Sequence, residues 1–358
     1  MKKIVISGIN IVSGGMLSVY RDCLQELLSH CQDIEVFALV HDPELFKDIA
    51  DCRITYRAFP KAKRSWLLRC YYEYIFFSRV SKEIRPDVWI SMHDMTPNVK
   101  ADSQIVYCHN PSPFYRIQCK ELFAEWKFTL FTLFYRYLYR INLYRNRYII
   151  VQQDWMRKEF QRLFGLSNII VARPQRVSSV FPVNPVQKGM LFYPVTVHAY
   201  KNVEVLCEAT KYLQDITGLR IVLTMDGTES RYAGSLVRRY RDIPAVQFIG
   251  HQSRAEVFRL YASCEALLFP SRLESWGMPL SEFMETGKPV LAANLPYAHE
   301  VMDGYERVKF LNPLNPEDWA AAIRALLSGT LEYDHIPLQI PEEPYARNWK
   351  ELFSLLEF

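Results

Sequence analysis

Two glutamates separated by seven residues, Glu274 and Glu282, bracket the turn Trp276-Gly277-Met278-Pro279 in the stretch FPSRLESWGMPLSEFMETGKPVLA (269–292). An ionised carboxylate only accepts hydrogen bonds and repels phosphate, so glutamates in a ligand site suit paired hydroxyls. Pro279 fits the first turn of a helix, and TGKP (286–289) supplies a glycine stop with a following proline. An earlier start, on a Ser271-x-x-Glu274 capping box, would drive the helix through Gly277 and Pro279, at a cost of about 3 kcal/mol for the proline alone. The helix is therefore expected to begin near residue 279. A helix start after a strand end offers unpaired N–H groups and a positive dipole end, which favour an anion. A phosphate flanked by two polyols satisfies all of these groups, and a sugar nucleotide is such a ligand. The competing reading of Glu282 is a first-turn glutamate that only complements the dipole.

Two further segments could serve the same diphosphate. SGINIVSGGM (7–16) follows an apolar run and enters a helical pattern, so Gly14 and Gly15 permit close backbone approach to phosphate. It is not G-x-G-x-x-G, which weakens a dinucleotide reading, and a tight turn alone would also use the glycines. YPVTVHAYKN (193–202) sets Lys201 between a strand and a helix, as a point-charge phosphate binder or as a solvated loop lysine.

These segments need a frame of strands and helices. The chain has 358 residues, 49% of them hydrophobic, enough for two ordinary domains with large cores. Its eight cysteines are scattered without paired spacing, which reads as reduced thiols of a cytoplasmic protein. MKKIVISGINIVSGG loosely mimics a signal peptide, but its apolar run is too short, so it reads as a first strand. No run approaches the ~18–20 apolar residues that span a bilayer. The net charge of +4 divides unevenly: residues 1–170 are basic and the remainder slightly acidic.

Apolar runs lie at 3–7, 34–40, 87–91, 104–108, 148–152, 168–172, 190–194, 220–225, 246–250, 265–270 and 289–293, with helical patterns at 16–30, 202–214, 230–240, 254–262 and 316–328. Most of the runs do not alternate, the mark of strands buried on both faces of a parallel sheet. The expected architecture is α/β, with two Rossmann-like domains facing each other across a cleft that strand carboxyl ends line. RPQRVSSVFPVNPVQKG (173–189) breaks the rhythm, so the domains are expected at 1–172 and 173–344. A terminal helix (345–358) is expected to pack back on the first domain.

Together these pieces resemble the family 4 glycosyltransferases, retaining enzymes of the GT-B fold, most clearly over 190–303 through the Glu-x7-Glu signature and less through the Gly14-Gly15 loop and YCHNPSPFY (107–115). The resemblance implies that Glu282 holds the nucleotide ribose and that Glu274 faces the donor sugar. Ser275, Trp276, Gly277 and Met278 would present backbone amides to sugar and diphosphate. Lys201 would neutralise the diphosphate, and His109 would face the donor sugar near the reaction centre. Many relatives carry an arginine five positions before the lysine, where this chain has Thr196. Arg272 or the glycine-loop amides would then complete the clamp.

Breaking a sugar–diphosphate bond builds negative charge on the leaving group, which fixed N–H groups and Lys201 would stabilise. The sequence contains no D-x-D, so neither a metal nor another cofactor is expected. No general base stands out; in the family the leaving phosphate is thought to take the acceptor proton. His109 is the best polar candidate, against a histidine that merely caps the next turn, and His93-Asp94 is a weaker candidate for acceptor contact.

The segments 61–80 and 119–148 are crowded with aromatic and basic residues, including Phe128, Phe131, Phe134, Tyr135 and Leu138 beside Arg136, Arg140, Arg145 and Arg147. Such helices can lie in an anionic membrane interface, or be ordinary buried helices with a solvated basic stripe. The resemblance implies extension of glycan or lipid-linked glycan acceptors on the inner membrane face, with a UDP- or GDP-linked donor and no nucleic acid partner. A non-catalytic sugar-nucleotide-binding subunit and a sugar-nucleotide epimerase are the alternatives, and the Glu-x7-Glu block argues against the epimerase.

Overall fold

Apolar runs without alternation become strands buried on both faces, because only a parallel sheet covered by helices gives every side chain an apolar neighbour. A computed structural model describes residues 1–115, 117, 126–174, 181–182 and 184–358. Among them the strands are, in chain order, β1 (Lys2–Gly8), β2 (Ile34–Val40), β3 (Ile54–Ala58), β4 (Val88–Ser91), β5 (Ser103–Cys108), β6 (Tyr148–Val151), β7 (Ile169–Ala172), β8 (Met190–Tyr193), β9 (Arg220–Leu223), β10 (Val246–Phe248), β11 (Ala266–Phe269), β12 (Val290–Ala293), β13 (Val308–Leu311) and β14 (Tyr345–Ala346). The segment that mimics a signal peptide is β1, as its short apolar run suggests.

The chain divides into two compact units: Met1–Tyr115 with Phe131–Gln175 and Pro341–Phe358, and Arg116–Leu130 with Arg176–Ile340. The first holds a parallel sheet in the order β14-β7-β6-β5-β4-β1-β2-β3, the second a parallel sheet in the order β10-β9-β8-β11-β12-β13. Of the break expected at 173–189, residues 175–180 and 183 lie outside the described residues.

Three strands escape the apolar-run reading: β3, β13 and β14. All three are sheet edges. An edge strand meets solvent on one side, so β3 has no fully buried residue and β13 carries Lys309. The terminal helix begins at Trp349, not at 345, because Tyr345 and Ala346 pair with Val171 and Ala172. Trp349, Leu352 and Phe353 then join the core of the first unit with Tyr20, Leu24 and Leu27 of the Gly14–His30 helix. The described cysteines are free thiols; Cys119 lies outside the described residues.

Candidate active site

In each sheet the strand order reverses once, and such a reversal leaves the loops beyond two adjacent carboxyl ends diverging, where open α/β sheets bind ligands. In the second unit the reversal lies between β8 and β11, in the first between β1 and β4. The sequence-derived candidates fall on the loops at these two places, or one strand away.

In the second unit β8 leads to Lys201 and β11 leads to Glu274. The two side chains meet: Lys201 Nζ lies 2.5 Å from Glu274 Oε1, and both are largely buried. The backbone fixes this pairing. Arg272 N donates to Tyr200 O at 2.6 Å, and Asn202 Nδ2 donates to Pro270 O at 3.2 Å and Pro313 O at 2.7 Å. Tyr193 and Tyr297 hydroxyls donate to Lys201 O and Ser271 O, clamping each loop from below. Arg272 Nη2 donates to Ala199 O at 2.9 Å, so this guanidinium braces the lysine loop. Thr196, where the resemblance leads one to expect an arginine, is exposed.

Beyond Glu274 the chain enters the Met278–Met284 helix through Gly277, whose φ of +86° is a left-handed conformation that favours glycine. The helix starts within one residue of the expected position. Trp276 is buried and its Nε1 donates to Ser281 Oγ at 3.2 Å, pinning the turn to the helix. Among the described residues, the amides of Ser275, Trp276, Gly277 and Met278 donate to no protein acceptor. Four consecutive unused donors near a largely buried lysine can serve an anion.

Glu282 lies past the first turn of this helix, which holds no acidic residue, so the dipole reading of Glu282 fails. Its carboxylate instead receives Arg254 Nη2 at 2.9 Å and the Tyr261 hydroxyl at 3.4 Å. Burial pushes the Glu282 carboxyl above the usual range, against the opposing pull of Arg254 and Tyr261. Arg254 was not a sequence candidate; its only signal was its place at the start of the Arg254–Ser263 helix, after the loop GHQS.

In the first unit the loop after β1 carries exposed Gly14 and Gly15, with Gly14 at φ +71° opening the Gly14–His30 helix. The β4 exit carries His93 and Asp94, the β5 exit His109. Asp94 Oδ1 accepts from the amides of His109 at 2.6 Å and Asn110 at 2.8 Å and from the Tyr139 hydroxyl at 3.2 Å, so Asp94 holds the His109 loop. His109 is buried and stacks on Tyr107 at 4.5 Å, with Gln152 Nε2 3.5 Å from its Nδ1. Burial holds the His109 imidazole down at about 4, against the pull of Asp94, so it is neutral at physiological pH. Its Nε2 has no hydrogen-bond partner among the described residues.

His93 joins a buried polar cluster with Arg69 and Glu73, two residues that the sequence reading did not single out. Arg69 Nη2 donates to His93 O at 2.6 Å and lies 3.1 Å from His93 Nδ1, and Glu73 Oε1 lies 3.2 Å from His93 Nε2. Burial pushes the Glu73 carboxyl up to about 8, against Arg69, and drives His93 well below its ordinary value. Glu73 sits on a π-helical turn, Tyr72–Phe76, that interrupts the helical run from Trp66 to Ile84.

The aromatic segments present two faces. Tyr135 and Leu138 are buried, and Trp66 packs on Phe131 and Tyr135, whereas Leu67, Phe134 and Tyr137 are well exposed, as are Arg136 and Arg140. Residues 119–125 lie outside the described residues, and no helix among the described residues is long and apolar enough to cross a membrane.

Residues 179–337 match the family model for glycosyl transferases group 1. The O-antigen chain mannosyltransferase B of Escherichia coli is 24% identical over 266 residues, 69% of this chain and 64% of the relative, so the match spans just under two thirds of that protein. Among solved structures, the lipopolysaccharide outer core galactosyltransferase WaaB in its apo form superposes with a TM-score of 0.64 at 19% identity, covering 94% of this chain and 92% of the other. Anabaena Alr3699/HepE in complex with UDP-glucose superposes with a TM-score of 0.60 at 14% identity, covering 92% and 91%.

Proposed function

From the match of residues 179–337 to the glycosyl transferases group 1 model and the GT-B fold of the chain, we propose that this protein transfers a sugar, with retention, from a UDP- or GDP-linked donor to a hydroxyl of a glycan or lipid-linked glycan in surface polysaccharide synthesis. The observation that carries the proposal is the Lys201–Glu274 pair at the reversal point of the second sheet, next to four unused amides. Lys201 and the amides of 275–278 take the diphosphate. Glu274 turns to the donor sugar and Glu282 to the ribose. Gly14 and Gly15 offer further backbone donors, and the first unit takes the acceptor.

In the reaction, the bond between the anomeric carbon and the diphosphate oxygen breaks as the acceptor oxygen bonds to that carbon on the same face. The acceptor proton passes to the leaving phosphate oxygen, so no side chain need act as base. Lys201 and the amides stabilise the charge that grows on the diphosphate, a preorganised electrostatic contribution that matters most away from bulk water. His109, neutral, acts as a hydrogen-bonding group toward the donor sugar and carries no charge there. The reading includes no metal, since the sequence lacks D-x-D and a lysine is in place for the charge. It also includes peripheral contact of 61–80 and 119–148 with the inner face of an anionic membrane, supported by the exposure of Leu67, Phe134 and Tyr137 and of Arg136 and Arg140.

Incubation with a panel of UDP- and GDP-sugars and membrane-extracted lipid-linked acceptors, followed by release of nucleoside diphosphate, tests the proposal. One donor is expected to give release that depends on acceptor. Tight donor binding without release would favour a non-catalytic subunit, a reading that the exposed Thr196 and the bracing role of Arg272 support.

A further inference from the structure

The amino edge of the first sheet holds a depression of about 980 Å3, on the side of the sheet away from the candidate site. β4, β5 and β6 are neighbours in the sheet, so the residues just before them lie side by side: Arg85, Lys100 with Asp102, and Arg145 with Arg147. Lys82, on the helix Phe77–Ile84 that precedes β4, adds a fifth cation. β5 spans Ser103–Cys108, about 20 Å at ~3.3 Å per residue, and this length separates the depression from His109.

Five cations line the depression against the single carboxylate of Asp102. Lys82, Arg85 and Lys100 make no ion pair and no side-chain hydrogen bond among the described residues. Arg145 Nη1 donates to Asn98 Oδ1 at 2.8 Å, and Arg147 pairs with exposed Glu357 at 2.7 Å. Cations that outnumber the carboxylates of a concave surface raise the local potential and concentrate anions. Arginine and lysine together suit phosphate oxygens, the one by its planar fork and the other as a point charge.

The lining also contains a different group. Asn146 is buried, and its Nδ2 donates to Thr96 Oγ1 at 2.7 Å and Leu143 O at 2.8 Å, leaving Oδ1 without a partner among the described residues. A buried amide oxygen accepts a hydroxyl proton, a donor that a fully ionised phosphate ester group lacks. The volume is that of a small-molecule site, far larger than one phosphate needs.

We propose that Lys82, Arg85, Lys100, Arg145 and Arg147 form a second binding site, for a phosphate ester that carries a free hydroxyl. Its ligand is a glycerophosphate-type group, whether free in solution or as the headgroup of a lipid. The proposal does not depend on the donor reading, because no residue is shared with it.

The test uses the full chain in two arms: calorimetric titration with sn-glycerol 1-phosphate, and flotation with vesicles of phosphatidylglycerol against vesicles of phosphatidylcholine. Binding in the first arm alone assigns a soluble ligand, binding in the second alone a lipid headgroup, and binding in both the shared chemistry. In whichever arm binds, Lys82→Glu with Lys100→Glu is expected to weaken binding about tenfold or more, while Lys47→Glu with Lys350→Glu, equal in charge and on the same unit, leaves it unchanged. Should the charge reversals lower the unfolding midpoint, Lys82→Gln with Lys100→Gln is read instead, with the same direction expected. Binding in neither arm, no loss in the depression variants, or equal loss in both pairs overturns the proposal.

Discussion

Lys201 and Glu274, 73 residues apart in sequence, close a 2.5 Å ion pair at the place where the strand order of the second sheet reverses. Each is the other's charged partner in the structure. A donor diphosphate would compete with Glu274 for the lysine and free the carboxylate to accept from sugar hydroxyls. On the proposed reading, one pair would link phosphate binding to sugar binding.

That exchange predicts opposite effects for the two members. Lys201→Ala is expected to weaken binding of a nucleoside diphosphate by roughly 1.5–3 kcal/mol, about ten- to a hundredfold, the loss of charge-assisted hydrogen bonds. Glu274→Gln removes the competing carboxylate, so bare diphosphate binding holds or tightens while turnover of the sugar nucleotide falls. Calorimetry on both variants, with turnover on Glu274→Gln, separates these outcomes; equal weakening of diphosphate binding would contradict the exchange.

Glu282 gives a pH dependence with a definite sign. On the proposed reading, ribose hydroxyls would donate to the ionised carboxylate, whose pKa burial has raised. Nucleotide affinity therefore falls with falling pH while an exposed glutamate would still be ionised. Glu282→Gln is expected to bind weakly at every pH and to lack this step. Arg254→Ala should move the step to higher pH, because Arg254 lowers that pKa. Affinity measured from about pH 8 to 5 checks both shifts; a pH profile identical in wild type and Glu282→Gln would refute the role of Glu282.

The buried cluster of the first unit predicts stability with a maximum near neutrality. The folded chain keeps His109 neutral down to about 4, and His93 is depressed as well, so the unfolded chain takes up protons first below about pH 6.5 and stability falls as pH falls through that window. The folded chain keeps Glu73 protonated up to about 8, whereas the unfolded chain has already released that proton, so stability also falls as pH rises toward 8. The alkaline decline is on the order of 2 kcal/mol between about pH 6.5 and 8. Glu73→Gln, a shape-preserving neutral replacement, should abolish that decline and leave the acid limb, as denaturant unfolding at several pH values would show.

Sequence reading succeeded where burial on both faces left a continuous apolar run, and it missed β3, β13 and β14, the edges where that signal disappears. The Glu274, Gly277 and Lys201 loops were legible because a glycine before a proline and a lysine between a strand and a helix are local patterns. Arg254 and Tyr261 were not, since they reach Glu282 only through tertiary packing. The Arg69–Glu73–His93 cluster was hidden for the same reason: an aromatic-rich segment reads as surface or core and gives no sign of a buried carboxyl at position 73.

The outward apolar side chains give a direct membrane test. Leu67 is 84% exposed and Phe134 59% exposed. Leu67→Asp with Phe134→Asp is expected to lower flotation with anionic vesicles severalfold without lowering the unfolding midpoint, since neither side chain is in the core. Unchanged flotation would remove these segments as a membrane surface.

The central claim is that a nucleotide diphosphate lies against Lys201 and the amides of 275–278. Amide hydrogen exchange with and without the bound nucleotide sugar measures those donors themselves. The claim predicts that peptides covering 270–284 and 196–203 slow markedly on ligand binding, and that Lys201→Ala reduces the effect at equal ligand concentration. Protection confined to other segments, with exchange at 275–278 unaltered by a ligand that demonstrably binds, would contradict it.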